Sequence, residues 1–213
     1  KTIWIWEGSE YKTYNSSSPI QLAPGQGFFV EASGNSNVTF NTANRSHQST
    51  DTFKKEEPIA YFELSMESGD AKSATKVFYV AGKTTGFDNG YDGPRFMAGD
   101  NSFAFYTHLV SDSEGVDYDI QSLPTDNYEN MVIPIGINAV SGSAITIDAS
   151  ITNIPTGINV YLEDKENNSF SLLDSQSNFM TTLDSDLNGI GRFYLHTTSE
   201  LLSSDDVLNN NNI

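Results

Sequence analysis

The stretch of this sequence with the clearest potential for chemistry is GFDNGYDGPRF, residues 86–96. Asp88 and Asp92 flank Asn-Gly-Tyr, and hard cations such as Ca²⁺ need several oxygen ligands on a loop that glycines allow to wrap around them. Two carboxylates are only part of such a set. The same aspartates also suit Asx-type turns, in which their side chains bond the nearby backbone. The pattern therefore predicts either a structural calcium site at Asp88 and Asp92 or a tight polar turn.

A second acidic run, DSDLNG at residues 184–189, matches the opening of an EF-hand loop. The match fails at its closing position, where a bidentate carboxylate is required and Leu195 stands instead. Residues 190–193 look like the start of a strand. This run therefore favours a turn rather than a metal loop.

Aromatic side chains near the beginning of the chain suggest carbohydrate binding. Sugar rings have apolar C–H faces that stack on exposed tryptophan or tyrosine. Trp4 and Trp6 share one face of a predicted strand, opposite Ile3 and Ile5. If the isoleucines face the core, the tryptophans form an exposed pair about 7 Å apart. If the tryptophans face inward, they are core residues and the isoleucines cover a second surface.

Three further side chains complete the candidate glycan-binding set. Tyr11 and Tyr91 add aromatic faces, and Arg95 adds hydrogen-bond donors for sugar hydroxyls. Arg95 has an alternative role, because any of the many carboxylates in this chain could be its ion-pair partner. We therefore predict a glycan-binding rim that comprises Trp4, Trp6, Tyr11, Tyr91 and Arg95.

Support for catalysis is thinner. The three histidines, His47, His108 and His196, stand far apart, and no GxSxG, HExxH or phosphate-cradling glycine loop is present. A glycosidase needs only two carboxylates at a set separation, and 28 acidic residues leave that alternative open. Because the loops are shorter than an enzyme cleft usually needs, we expect a protein that is not an enzyme.

The charge excludes two classes of partner. With a net charge of −17, the surface repels nucleic acid phosphates and anionic lipid headgroups. No apolar run approaches the length of a membrane helix, so we expect no membrane insertion. The absence of cysteine rules out disulfides and thiolate metal sites.

Period-two alternation recurs along the chain and predicts an all-β fold. Short strands separated by Gly, Asn, Asp and Pro turns are typical of an antiparallel β-sandwich of the jelly-roll type. We expect a small N-terminal β-hairpin subunit over residues 1–45 that packs on the main domain, with strands that include Phe28–Ala32 and Val38–Phe40. A polar connection over 46–58, a β-sandwich domain over 59–200 and a linker over 201–213 complete the predicted organisation.

Six stretches carry a resemblance to a known family: IWIWEGSEYKTYN, LAPGQGFFVEAS, GFDNGYDG, NYENMVIPIGINA, INVYLEDKENNSFSLLD and LNGIGRFYLHTT. In this order, from Trp4 to about Thr198, they are similar to a β-sandwich module of secreted Bacteroidota proteins. That module precedes the C-terminal sorting domain of type IX secretion cargo. The matching positions include Pro24–Val30 and Arg192–His196. The sorting domain itself would follow Ile213.

The resemblance implies a secreted or cell-surface location, a non-catalytic accessory role and contact with the type IX secretion machinery through the adjoining domain. It supplies no ligand and no site residues. Two functions follow as expectations. The first is a module that binds polysaccharide or surface glycan, or promotes adhesion. The second is a structural spacer or stalk that presents neighbouring domains and the secretion signal and has no ligand of its own.

Overall fold

The computed structural model describes residues 2–6, 11–22, 25–31, 34–35, 37–45, 59–98, 100–174 and 176–202. Apart from a single 3-10 turn at Thr42–Asn44, the regular structure in these residues is β-strand. The strands are β1 (Ile3–Trp6), β2 (Tyr11–Tyr14), β3 (Ala60–Ser68), β4 (Ala71–Tyr79), β5 (Gly93–Pro94), β6 (Ala104–Thr107), β7 (Tyr118–Leu123), β8 (Met131–Ala139), β9 (Ala144–Thr152), β10 (Asn159–Asp164), β11 (Ser169–Leu172), β12 (Phe179–Thr182) and β13 (Leu187–Thr198).

The strands form because apolar and polar residues alternate, so that one face of each strand can leave water. In β3, Phe62, Leu64 and Met66 are fully buried, while the residues between them are partly exposed. Complete burial of each such side chain contributes roughly 1.5–3 kcal/mol relative to exposure. This repeated gain holds one face of β3 against the core.

One large mixed sheet contains every strand from β3 to β13. Its order is β11-β10-β13-β8-β6-β7-β4-β3-β9-β12, and β5 pairs with β7 outside this path. All pairs are antiparallel except β4 with β7. The two end strands, β11 and β12, are consecutive in the chain and joined by residues 173–178 only. The sheet must therefore curl until its ends lie close together.

Contacts across the interior show this curvature. The hydroxyl of Tyr79 in β4 lies 3.2 Å from the hydroxyl of Thr197 in β13, although three strands separate β4 from β13 in the sheet. Phe179 of the end strand β12 packs edge-on against Phe193 of β13, with ring centroids 5.6 Å apart. The predicted all-β sandwich is therefore confirmed, in the form of one sheet that nearly closes into a barrel around a single core.

The hairpin of β1 and β2 forms a separate two-stranded antiparallel sheet, in register from Ile3 opposite Tyr14 to Trp6 opposite Tyr11. It is the small N-terminal β-hairpin that the sequence predicts. Two further predicted strands are wrong. Among the described residues, Phe29 makes one bridge, to Trp4 at the edge of β1, and residues 38–40 show no strand partner. Ala32 lies outside the described residues. Alternation alone therefore does not make these residues strands.

Two predicted segments fall largely outside the described residues. These are the polar connection at 46–58 and the linker at 201–213, of which only 201 and 202 are described. Within the described residues, no helix has both the length and the apolar character that a membrane span requires.

Candidate functional site

The GFDNGYDGPRF stretch folds into a corner held by its own aspartates. The Asp88 carboxylate accepts hydrogen bonds from the backbone N–H of Thr84 at 2.7 Å and from its hydroxyl at 3.1 Å. Asp92 accepts the backbone N–H of Asp88 at 2.6 Å through one oxygen and that of Ser122 at 2.7 Å through the other. These bonds make a tight polar turn, and the bond to Ser122 fixes the corner to β7. They differ from the expected Asx-type turns, because each aspartate accepts the backbone N–H four residues before it and not two residues after it.

Calcium binding at Asp88 and Asp92 gains no further ligand from this geometry. Both oxygens of Asp92 and one oxygen of Asp88 already accept backbone or hydroxyl hydrogens. No group of three or more His, Asp or Glu side chains that could hold a metal ion occurs among the described residues. The observed arrangement is that of the turn alternative, and calcium at these two residues stays a prediction.

The corner also forms hydrogen bonds with the hairpin segment. The side-chain amide of Asn15 donates to the carbonyl of Tyr91 at 2.5 Å, and the indole N–H of Trp4 donates to the carbonyl of Pro94 at 3.1 Å. Between these two contacts stands Gly93, where a Cβ atom would lie only 3.0 Å from a methyl carbon of Thr13. Glycine suits this position because side chains of the hairpin and of β7 approach the corner so closely that a Cβ atom would have to push them aside.

Phe96, the last residue of the same stretch, is the centre of an aromatic cluster. Its ring centroid lies 4.3 Å from that of Tyr11, 5.4 Å from Phe29 and 5.6 Å from Trp4. Trp6 extends the cluster with an edge contact to Tyr11 at 5.0 Å. Such pairs contribute about 0.5–1.5 kcal/mol each beyond the apolar area that they bury. The cluster therefore docks the hairpin on the main sheet.

A groove of about 810 Å³ lies between the docked hairpin and the main sheet. The hairpin contributes Trp6 and Tyr11 to its wall, and β4 contributes Lys76. Residues after β5 and in β7 add Arg95, Asn101 and Asp119. The groove therefore combines aromatic surface with polar groups, and it exists only because the hairpin is docked.

Arg95 and Asp119 form the polar centre of this groove. The guanidinium donates to the Asp119 carboxylate at 2.9 Å and to the side-chain oxygen of Asn101 at 3.0 Å. The other oxygen of Asp119 accepts the hydroxyl of Thr13 at 2.6 Å. The ion pair that the sequence left as an alternative role for Arg95 is thus present, and it orients Arg95 within the groove.

The structure separates the five predicted glycan-binding residues. Trp6, Tyr11 and Arg95 meet in the groove, and Trp6 is 54% exposed. The expected exposed pair of tryptophans is wrong for Trp4, which is only 4% exposed because its indole packs on Phe96 and bonds Pro94.

Trp4 and Tyr91 lie outside the groove. Trp4 lines a second, smaller cavity of about 490 Å³ with Phe29, Met97 and Val116. Tyr91 belongs to the corner, where the ammonium of Lys83 lies 3.5 Å from its ring centroid. These two aromatic residues therefore stabilise the contact between the hairpin and the corner, and their rings are not part of the groove surface.

Reasoning from the sequence missed Phe96, Asn101, Asp119 and Thr13. Phe96 stands in the GFDNGYDGPRF stretch, so its aromatic character was a usable signal. Asp119 carries no local signal, since it reaches Arg95 only through the pairing of β5 with β7. Its place in the groove is a consequence of tertiary structure.

Asp92 is buried, with 1% of its surface exposed, and burial raises its pKa from the ordinary 3.8 to about 6. The hydrogen bonds from Asp88 and Ser122 favour the ionised form but do not offset the loss of water. A carboxyl whose folded pKa exceeds its unfolded value stabilises the fold when protonated. Its contribution is fully present below about pH 4 and is lost as the pH rises through about 6.

We expect this titration to be visible as the difference between the unfolding free energies of the native protein and Asp92→Asn. That difference should fall by about 2 kcal/mol between pH 4 and pH 7, because only the native residue becomes a buried anion. Urea unfolding at several pH values measures it. Asp126→Asn, which removes one carboxylate at an exposed position, is the matched control. A flat difference for Asp92→Asn would contradict the raised pKa of Asp92.

Comparison with known proteins gives one match. A family model described as a domain of unknown function matches residues 3–196, which include both the hairpin and the main sheet. No curated protein matches this chain, and no solved structure matches it. Because the match extends over most of its length, the chain belongs to the family DUF8693, a domain of unknown function.

Proposed function

We propose that this chain is a non-catalytic module of a secreted or surface-displayed bacterial protein and that it binds glycan in the groove beside the hairpin. The observation that carries the proposal is the meeting of exposed Trp6 with Tyr11, Arg95, Asn101 and Asp119 on one concave surface. A pocket that combines aromatic walls with a few oriented polar groups is the usual form of a ligand site.

The aromatic part of the groove suits the apolar face of a sugar ring. Trp6 is held from one side by Tyr11, whose ring meets it edge-on, and it is 54% exposed. The indole therefore has a supported position and a free surface. A side chain that is already ordered loses less conformational entropy on binding, so Trp6 is the stacking platform in this proposal.

The polar part of the groove suits hydroxyl groups. Asp119 and Asn101 provide oxygen atoms, and Arg95 and the lysines provide N–H donors. Asp119, Arg95 and Asn101 hold one another in place through the hydrogen bonds described above. Oriented donors and acceptors on a rigid sheet can distinguish sugars by the direction of their hydroxyls.

Two observations favour a non-catalytic role over hydrolysis. Glycosidases need an acid carboxyl with a raised pKa next to a second carboxylate in the cleft. Among the described carboxyl groups, the one with a clearly raised pKa is Asp92, and it lies in the corner with both oxygens bonded to backbone N–H groups. Asp119 in the groove is already bonded to Arg95 and Thr13.

The secreted location and the contact with the type IX machinery are part of the same proposal. They are supported by the six sequence stretches, which keep their order along the chain. An adjoining sorting domain would make that contact. A comparison of the secretion of this chain alone with that of the chain fused to such a domain would test this part independently of any ligand.

A structural spacer is the second candidate function. What favours it is that several of the recognisable motifs form the scaffold. Arg192 bonds both oxygens of Asp164, at 3.0 and 2.8 Å, and His196 lies 2.8 Å from Glu163. Neighbouring strands joined by such ion pairs suit a rigid stalk. A spacer needs no ligand, so glycan binding discriminates between the two candidates.

Trp6→Ala is expected to weaken glycan binding by about tenfold or more, because it removes the apolar surface on which the sugar ring stacks. Stability should change little, since Trp6 is largely exposed. A glycan array followed by calorimetry on the strongest hit measures the effect. Phe40→Ala is the matched control, because Phe40 is an exposed aromatic residue outside the groove. Failure of the folded native protein to bind any glycan would favour the spacer.

A further inference from the structure

The charges of the groove differ from those of the rest of the surface. Four of the chain's 11 lysines and arginines line the groove, together with four carboxylates among the described residues. The groove is therefore close to neutral, whereas the whole chain carries −17. The cations are Lys12, Lys72, Lys76 and Arg95, and the anions are Glu63, Asp70, Asp100 and Asp119.

The cations of the groove are already engaged. Arg95 pairs with Asp119 at 2.9 Å, and both side chains are mostly buried. Lys76 lies 3.4 Å from Glu63, and Lys72 lies 2.6 Å from Glu67. Lys12 is not free either. An acidic sugar that approached these cations would also meet the carboxylates already paired with them. Displacement of Asp119 from the mostly buried Arg95 would leave a carboxylate without its partner.

The anions of the groove present acceptors instead. Asp70 is exposed at the turn between β3 and β4, and Asp100 lies close by in the groove with one oxygen holding the backbone N–H of Ser102. Carboxylate oxygens accept hydrogen bonds strongly from hydroxyl groups. They repel the carboxylate of a uronic acid or the sulfate of a sulfated sugar at the same distance.

The long-range field acts in the same direction. A chain with a net charge of −17 repels polyanions before contact, and the repulsion weakens only as salt screens it. An uncharged sugar meets no such barrier and can donate its hydroxyls to the acceptors of the groove.

From this arrangement we infer that the groove takes uncharged glycans and rejects acidic ones. One pyranose ring stacks on Trp6, and its hydroxyls donate to Asp100, Asn101 and Asp119. The ion pair of Arg95 with Asp119 stays intact and orients the acceptor. This inference rests on the proposed glycan-binding function and adds the substrate class to it.

The test compares uncharged oligosaccharides (glucan, xylan and mannan fragments) with homogalacturonan and sulfated fragments of matched length. We expect the best uncharged ligand to bind about tenfold or more tightly than any acidic one at low salt. Its Kd should change by less than about twofold when NaCl is raised, because no ion pair with the ligand is formed.

A charge variant tests the cause of the selection. Asp70→Asn with Asp100→Asn removes two anions from the groove, and acidic fragments should then bind about fivefold or more tightly than before at low salt. Asp112→Asn with Asp126→Asn is the matched control, because it changes the net charge equally at exposed positions outside the groove. An equal gain in both double variants would overturn the role of the groove carboxylates.

The remaining outcomes separate this inference from the function beneath it. Preference for acidic fragments, with a Kd that weakens steeply in salt, would overturn the inference and leave glycan binding intact. Absence of binding to every fragment, with the protein shown to be folded by its circular dichroism, would overturn the proposed function and the inference with it.

Discussion

Replacement of Phe96 by alanine is expected to loosen the β1–β2 hairpin from the main sheet while the large sheet stays folded. Phe96 contacts Tyr11, Phe29 and Trp4, so its ring joins the hairpin to the corner. Truncation of a buried phenylalanine costs about 3–5 kcal/mol, and for this half-buried ring we expect about 2–3 kcal/mol. That loss falls on the docking of the hairpin, because the core cluster of the main sheet does not include Phe96.

The chain offers a direct readout of this docking. Both of its tryptophans, Trp4 and Trp6, lie in the hairpin, so tryptophan fluorescence reports on the hairpin alone. Trp4 is 4% exposed in the docked state. Phe96→Ala should shift the emission toward longer wavelength and should lower the denaturant midpoint seen by fluorescence. The midpoint seen by far-ultraviolet circular dichroism, which follows the large sheet, should change less.

A matched control stands in the same stretch of sequence. Phe87 is 55% exposed and its nearest ring contact, to Tyr118, has centroids 6.4 Å apart. Phe87→Ala should cost less than about 1 kcal/mol and should leave the fluorescence of the folded protein unchanged. Equal effects of the two alanine variants would contradict the central position that we assign to Phe96.

The groove should be lost together with the docked hairpin, since the hairpin forms one of its walls. We therefore expect Phe96→Ala to weaken glycan binding although Phe96 contributes mainly through packing. Trp6→Ala should weaken binding with a smaller change in hairpin stability, because Trp6 makes a single edge contact in the cluster and is 54% exposed. Comparison of the two variants thus separates direct contact with the ligand from support of the groove.

Asp164→Ala is expected to produce a large loss of stability in the main sheet, about 3–5 kcal/mol. The carboxylate of Asp164 is almost fully buried and accepts two hydrogen bonds from Arg192. It also accepts from the backbone of Glu166 and the amide of Asn167. Burial acts to raise its pKa, but the bonds from Arg192 and Asn167 hold that pKa below its usual value. Removal of the carboxylate leaves Arg192 without its buried partner.

Two further variants test this explanation by urea unfolding. Glu166→Ala removes the second ion-pair partner of the same arginine. Because the side chain of Glu166 is 53% exposed, its loss should cost less than about 1 kcal/mol. Asp164→Leu with Arg192→Met replaces the buried pair by apolar side chains and should recover most of the loss. If Glu166→Ala proved as costly as Asp164→Ala, the exposed pair would carry the interaction and the buried one would not.

The main sheet was largely readable from the chain because its signal is local. Alternation in segments such as β3 and β8 places apolar residues on one face, and burial of that face decides the conformation. The same pattern misleads where a partner strand is lacking, as at residues 38–40, which alternate but form no strand pair with any residue that the structure describes. A strand requires both its own pattern and a partner with free backbone groups.

The groove was only partly readable for the same reason. Trp6, Tyr11 and Arg95 stood out by residue type, but nothing local distinguished Trp6 from Trp4, which occupies the same strand face. Trp4 is buried because Phe96 and Pro94 meet it from a segment about 90 positions away. Contacts of that separation depend on the path of the whole chain.

The amino-acid order alone indicated the all-β class and the acidic surface, since each follows from composition or from alternation between near neighbours. At residues 86–96 it left a polar turn and a calcium site as alternatives. Tertiary structure decided which aromatic rings reach water, which carboxylate pairs with Arg95 and where the groove lies. The reason is physical: exposure and ion pairing depend on what packs against a side chain, and here the packing partners come from distant strands that the curled sheet brings together.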